Sequence, residues 1–332
     1  MKQFLSILLA TALLLSCTAC AGKEPVATIT EPESIPTTAS TTPPETMPPT
    51  PETEAFSFQE LEDIPFVFSS GAGGWRTELT IGSDGSFSGF FRDSNMGITE
   101  AEYPNGCISS SEFTGVFRNS EPIDPYSYRL TMSPLTYAVI PGTEEIRDGI
   151  LYSHVTAYGL DQAGEMLLYL PGTPLSTMTE DFLLWTNLQG TQLTELPFWA
   201  LYDPHTGNTF VGGDPFQEIR EMVPAAEEAD AEADLWLQTH YTQADMNDAA
   251  FQRYQRWDDI LNAQWAVLKN TLPEEVMRDL TNEELQWIRD KEQAVKEAGA
   301  EVEGGSLYPT VTNSVAANLT RDRVYDLLEY FP

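Results

Sequence analysis

Thr242-Gln243-Ala244-Asp245-Met246-Asn247 opens the stretch that decides the architecture of this chain. Thr242 followed by Asp245 is a capping-box-like pair, with Asp where Glu or Gln is usual. Met246, Ala250, Tyr254, Trp257, Leu261, Trp265 and Leu268 then recur at steps of four, four, three, four, four and three. That spacing lays one apolar stripe along a helix of about 25 residues. Pro273 can start a following turn through Asp279. Thr281 and Glu284 form a full capping box, and Leu280 can staple onto Leu285. Trp287, Ile288 and Val295 share a face of the next helix, which Gly299, Gly304 and Gly305 end. Thr320 is expected to cap a last helix with Val324, Leu327 and Leu328 inward. Two long helices with short ones around them make a small αα-hairpin bundle over residues 239–332.

These residues also stand in a recognisable order. Thr242, Gln243, Met246 and Asn247 are followed by Leu272-Pro273-Glu274-Glu275, by Glu284, Trp287 and Ile288, by Gly304-Gly305-Ser306-Leu307-Tyr308-Pro309, and by Leu319, Thr320 and Arg323. The order resembles the N-terminal domain of the LprI-like lysozyme inhibitors, a family of small helical bacterial envelope domains. The resemblance covers the final quarter of the chain. It marks Thr242, Met246, Asn247, Trp287, Gly304, Gly305, Ser306, Tyr308, Thr320 and Arg323 as motif positions. It implies a non-catalytic binder that protects the cell wall from lysozyme-type muramidases, with the exposed residues around Gly304 to Tyr308 as the first contact candidates. There are departures. Where many family members carry cysteines, this chain has Ala249, Val295 and Val315. An Arg-Asp pair becomes Lys291-Glu292, and Lys lacks the bidentate geometry of Arg.

Upstream, residues 213–238 read as an acidic connector. Arg220 is its one basic residue, the alanines between the acids allow a solvated helix, and Pro224 should interrupt it. Residues 56–212 have a different character. Trp75 to Ile81 and Ser86 to Phe90 alternate between two faces around Gly82-Ser83-Asp84-Gly85, a hairpin signal. Further short runs lie at Glu112–Arg118, Tyr126–Met132, Leu135–Ile140, Leu151–Ala157, Met166–Leu170 and Phe198–Tyr202. Repeated short strands predict an antiparallel barrel or sandwich. Thr179 should cap a short helix with Phe182, Leu183 and Trp185 inward. The fold class expected is therefore α+β in separate domains. The combination Phe68 to Trp75 with Asp84 to Phe87 is similar to a module of secreted proteins from anaerobic Gram-positive bacteria, and that likeness implies no chemistry.

Residues 1–20 read as a lipoprotein signal peptide, with Lys2 before the apolar run Phe4–Leu15. Leu14-Leu15-Ser16-Cys17 has the form of a lipobox, and Thr18-Ala19-Cys20 is a second one; Leu14 favours Cys17 and Ala19 favours Cys20. A diacylated cysteine gives stable anchoring without a transmembrane helix. The location expected is the extracellular face of the cell membrane. Residues 21–55 form a Pro/Thr-rich linker, with eight prolines and nine threonines from Lys23 to Ala55. Cys107 stands alone and builds no disulfide framework.

The formal charge is -34. Such a surface repels nucleic acid and speeds encounter with cationic proteins such as lysozyme, although solubility alone also accounts for it. No catalytic, cofactor or metal site is expected. His154, His205 and His240 sit in no hydrolase signature, and Ser153 and His154 point to opposite faces of one strand. Asp203 to Asn208 is a turn rather than a metal motif, and Asp93 to Gly97 lacks the distal glutamate of a calcium loop. Gly71 to Gly74 precedes a strand rather than a helix, so it cradles no phosphate. Trp75, Trp185 and Trp199 fit core packing better than a sugar site. A glycan- or peptide-binding role for the β domain is the alternative function.

Overall fold

The computed structural model describes residues 56–71, 73–161, 164–240 and 242–332. Cys17, Cys20, the signal segment and the Pro/Thr-rich linker lie outside the described residues. Alternation builds the first half. In β2 (Trp75–Ile81), Thr77, Leu79 and Ile81 point inward while Arg76 and Thr80 face solvent. β3 (Ser86–Asn95) returns along it through the expected turn. Gly85 takes φ +80° there, a conformation a side chain would strain. The Asp84 carboxylate accepts from Ser86 Oγ at 2.6 Å and Ser86 N at 2.9 Å, and these bonds hold its pKa below the usual carboxylate value.

These two strands belong to a closed ring. Its other members are β1 (Pro65–Ser69), β4 (Cys107–Asp124) and β5 (Ser127–Met132), then β9 (Glu165–Tyr169), β10 (Trp199–Tyr202) and β11 (Thr209–Gly212). Every neighbouring pair in the ring is antiparallel, and β11 returns to β1. Of the two β architectures that the alternation allowed, the barrel is the one formed. Outside the ring, β6 (Thr136–Tyr137) and β8 (Ile150–His154) pair with β4, the latter in parallel, and β7 (Glu144–Arg147) pairs with β8. Phe66, Phe113, Phe117, Leu130 and Phe210 fill the barrel. Gly89 gives Phe113 its room: a Cβ there would come within 2.7 Å of the ring and 2.2 Å of the Glu78 carbonyl oxygen.

Thr179 caps α1 (Glu180–Trp185) by accepting from Phe182 N at 3.2 Å, and Phe182 is buried. Trp185 corrects the expectation. Its ring meets Phe68 at 5.7 Å at the edge of the barrel core, yet it stays 49 % exposed.

The second half is helical. The acidic stretch expected as a solvated spacer forms α2 (Gln217–Leu237), and Pro224 does not interrupt it. The missing N–H of Pro224 removes one helical bond, but Ile219, Val223 and Ala226 bury a continuous face that outweighs the loss. α3 (Gln243–Thr271) carries the expected cap: Thr242 Oγ1 accepts from Asp245 N at 3.3 Å and Thr242 N donates to Asp245 Oδ2 at 3.1 Å. α4 (Glu274–Gly299) runs unbroken through the capping box expected at Thr281. Thr281 Oγ1 instead donates to the Met277 carbonyl at 2.6 Å, the bond a mid-helix threonine makes when no chain end needs it. α5 (Tyr308–Leu328) starts at Tyr308, with Pro309 in its first turn, rather than at Thr320, which lies fully buried within it. The last helix is therefore long, not short.

Side-chain bonds give the helix directions. Asp234 meets Arg253 and Asp230 meets Arg256, so α2 and α3 are antiparallel. Gln243 bonds Thr310 and Gln264 bonds the Val324 carbonyl, so α5 runs parallel to α3. Glu284 meets Arg323 and Gly299 meets Tyr308, so α4 runs against α5. The result is an up-down-up-down bundle. The β and α parts are segregated along the chain and share one core at their joint, where Phe198 and Ala200 join Phe216, Ile219, Leu272 and Leu327. The end of the chain closes it: Phe331 meets the Phe216 ring edge-on at 4.7 Å.

Candidate functional site

The helix directions put two connections at the end of the bundle away from the Phe216–Phe331 joint. One links α2 to α3 and the other links α4 to α5. With 21 residues, α2 sets this tip about 30 Å from the joint. Most of the motif residues of the glycine hook converge there. Asn247 Nδ2 donates to the Ser306 carbonyl at 3.3 Å, which ties the hook to the start of α3. Gln243 Nε2 donates to Asn247 Oδ1 at 2.9 Å and to Thr310 Oγ1 at 3.0 Å, and Thr310 Oγ1 donates to Asn247 Oδ1. Gly304 holds φ +75°, where a side chain would strain, and Gly305 N closes the turn on the Val302 carbonyl at 2.9 Å. Tyr308 packs on Gly299, whose absent Cβ would lie 2.7 Å from its ring. Met246 is half-buried beside this network.

What the network leaves outward is apolar with an acidic rim. Leu307 is 46 % exposed and Tyr308 39 %. At the neighbouring connection Leu235 is 65 % exposed and Trp236 45 %, and the Trp236 ring stacks on His240 at 4.3 Å with an interplanar angle of 2°. Glu232, Asp234 and Asp248 near one connection, and Glu297, Glu301 and Glu303 near the other, are exposed. The tip can thus offer apolar anchors inside a negative field. Leu307 lies within the Gly304–Tyr308 segment expected from sequence, whereas Leu235 and Trp236 do not belong to any expected site. The available signal was a pair of large apolar residues, Leu235 and Trp236, at the end of an otherwise acidic helix.

The other motif residues form an internal clamp. Arg323 is 5 % exposed; its Nε donates to Glu284 Oε2 at 2.8 Å and its Nη1 to Glu283 Oε1 at 2.6 Å. Glu284 thus supplies a charge to this arginine from inside the bundle. The Trp287 ring lies 6.0 Å from the Arg323 guanidinium and 4.7 Å from Lys291 Nζ, which is also 5.6 Å from the Tyr254 ring. Burial pushes the Lys291 pKa down against the nearby Asp258 and Glu284 carboxylates. Burial, with Asp258 beside it, pushes the Tyr254 phenol up to about 12. Thr320 and Arg323 are thus buried within the fold, and Trp287 is half-buried against its core. Ala249, Val295 and Val315 are half-buried.

Residues 237–327 match the family model Lysozyme inhibitor LprI. No curated protein matches the chain, and no solved structure does. The LprI segment begins at the end of α2 and closes within α5, so it contains both the tip connections and the clamp. The barrel and nearly all of α2 lie outside it.

The residues weighed for chemistry are scattered. Ser153 Oγ donates to Glu144 Oε1 at 3.3 Å rather than meeting His154. Buried Asp203 accepts from His205 N and Thr206 Oγ1, both at 2.8 Å, and so shapes the β10–β11 turn. Among the described residues no group of His, Cys, Asp and Glu is placed to hold a metal ion. Trp75 and Trp199 pack half-buried against the barrel core.

Proposed function

We propose that this protein is a non-catalytic, lipid-anchored protein of the outer face of the cell membrane that binds and inhibits lysozyme-type muramidases. The single observation that carries this reading is the LprI match over residues 237–327. The tip supports it physically. Muramidases of this type are cationic, the chain carries -34, and the tip puts Leu307, Tyr308 and Trp236 among exposed acids. The field raises the encounter rate, while the apolar anchors hold the complex. A muramidase covered near its cleft cannot admit the glycan. Lys291 is held between two aromatic rings, so the partner meets the tip rather than the Lys291-Glu292 pair. The lipid anchor rests on the lipobox at Cys17 or Cys20, and the linker carries the folded part outward from the membrane.

The test is hydrolysis of cell-wall glycan by a cationic muramidase, with and without the soluble chain lacking its first 20 residues. Inhibition is expected at low salt and should weaken at moderate salt. Full muramidase activity at both salts would remove the reading.

A further inference from the structure

We propose that the outer face of the barrel carries a saccharide site on β2, β3, β4 and β6, independent of the muramidase-binding tip. A groove of about 550 Å³ opens there, a size suited to a small ligand. Strand register builds it from two cross-strand rows, with a third row beyond its rim. In the central row, Glu78 lies opposite Phe90, and Phe90 lies opposite Glu112. Beside it, Thr80, Ser88, Thr114 and Thr136 form a row of hydroxyls across all four strands. On the other side Arg76 stands opposite Arg92, and Arg76 pairs with Glu78.

The composition of these rows selects the ligand. Phe90 is 39 % exposed on a strand whose neighbours Phe87 and Phe91 are buried. Its ring offers an apolar face between two carboxylates, the arrangement that receives the C–H face of a pyranose while its hydroxyls donate to the oxygens on either side. Among the described residues, Glu112 and the four hydroxyls make no side-chain hydrogen bond within the protein, so their capacity is open to a ligand. Charge argues against the alternatives. Two arginines and two glutamates balance locally, in a chain that is otherwise strongly acidic. A cationic peptide gains little from a neutral patch, and an anion meets the two carboxylates. A neutral, hydroxyl-rich ligand fits. The rows run across the strands at about 4.8 Å spacing, so an extended β-linked oligosaccharide can lie along the hydroxyl row.

The probe is chitotetraose, a neutral β-linked tetrasaccharide, titrated calorimetrically into the mature-length soluble chain. Binding is expected at high micromolar to millimolar concentration. Phe90→Ala should weaken it by about tenfold or more, and Glu112→Gln and Ser88→Val by several-fold. All three side chains face outward, so the thermal midpoint should stay where it is in the wild type. Leu307→Ala at the tip should leave the titration unchanged, which separates this site from the inhibitory one. The proposal is overturned if the wild type gives no heat or chemical-shift change up to about 10 mM sugar, a concentration at which even a weak site fills. It is equally overturned if Phe90→Ala binds as tightly as the wild type.

Discussion

Trp257 Nε1 donates to Asp230 Oδ2 at 2.9 Å, so the largest fully buried side chain among the described residues is fastened to a carboxylate of the acidic helix. Arg256 Nη2 reaches Asp230 Oδ1 at 2.8 Å and Arg253 Nε reaches Asp230 Oδ2 at 3.3 Å. One carboxylate thus joins α2 to α3. Asp230→Ala leaves an indole N–H and two partly buried guanidinium groups without it and should cost about 2–4 kcal/mol in urea unfolding. Asp234→Ala removes a 64 %-exposed partner of Arg253 and should cost less than about 1 kcal/mol. Equal losses for the two variants would contradict the role given to Asp230.

Gly299 reverses an ordinary rule. Replacing a helical glycine by alanine usually stabilises by about 1 kcal/mol. Here the new Cβ would stand 2.7 Å from the Tyr308 ring and 2.9 Å from Thr312 Cγ2. Gly299→Ala should therefore destabilise by about 1–3 kcal/mol, with faster amide exchange through the hook and the first turn of α5. A more stable variant would show that the start of α5 does not press on α4.

The tip and the clamp should come apart experimentally. Leu307→Ala and Trp236→Ala remove exposed side chains and should relieve muramidase inhibition by about tenfold or more, with no change in thermal midpoint. Arg323→Met leaves Glu284 buried without its partner and should cost about 3–5 kcal/mol. Adding Glu284→Gln should restore part of that loss, because the two residues are in contact. Inhibition that survives both tip substitutions would move the docking surface elsewhere.

Alkaline pH separates two groups on one face of α3 and α4. Tyr254 holds its proton to about 12 in the fold and to about 10 in the unfolded chain, because of burial first and Asp258 second. The unfolded state binds fewer protons in that window, so the contribution is fully present below pH 10 and falls as pH rises to 12. Lys291 acts oppositely. Its folded pKa lies below 10.5, so stability rises as pH passes through the folded value towards 10.5. Urea midpoints measured across this range should decline less steeply for Tyr254→Phe, and the rise should vanish for Lys291→Met. An unchanged slope in Tyr254→Phe would assign the decline to other groups.

Local chemistry made much of this protein readable. The Thr242–Asp245 cap, the apolar stripe of α3, the β2–β3 hairpin and the cap at Thr179 all depend on groups a few residues apart, and each stands in the structure as the residues imply. The same local rules failed at Thr281 and Thr320, which have the form of caps and lie inside helices. A threonine can bond the carbonyl one turn back, so its presence alone does not stop a helix.

The sequence by itself determined that a strand-rich half precedes a helical one, fixed the β2–β3 hairpin and the caps at Thr179 and Thr242, and placed the motif residues in order along the chain. Only the tertiary structure decided which of them face solvent and which are buried. Arg323 turns inward because Glu284, 39 residues away, receives it, and α2 packs because Asp230 meets an indole 27 residues further on. The direction of a polar side chain depends on whether a distant partner repays its desolvation, and spacing along one helix carries no information about that partner.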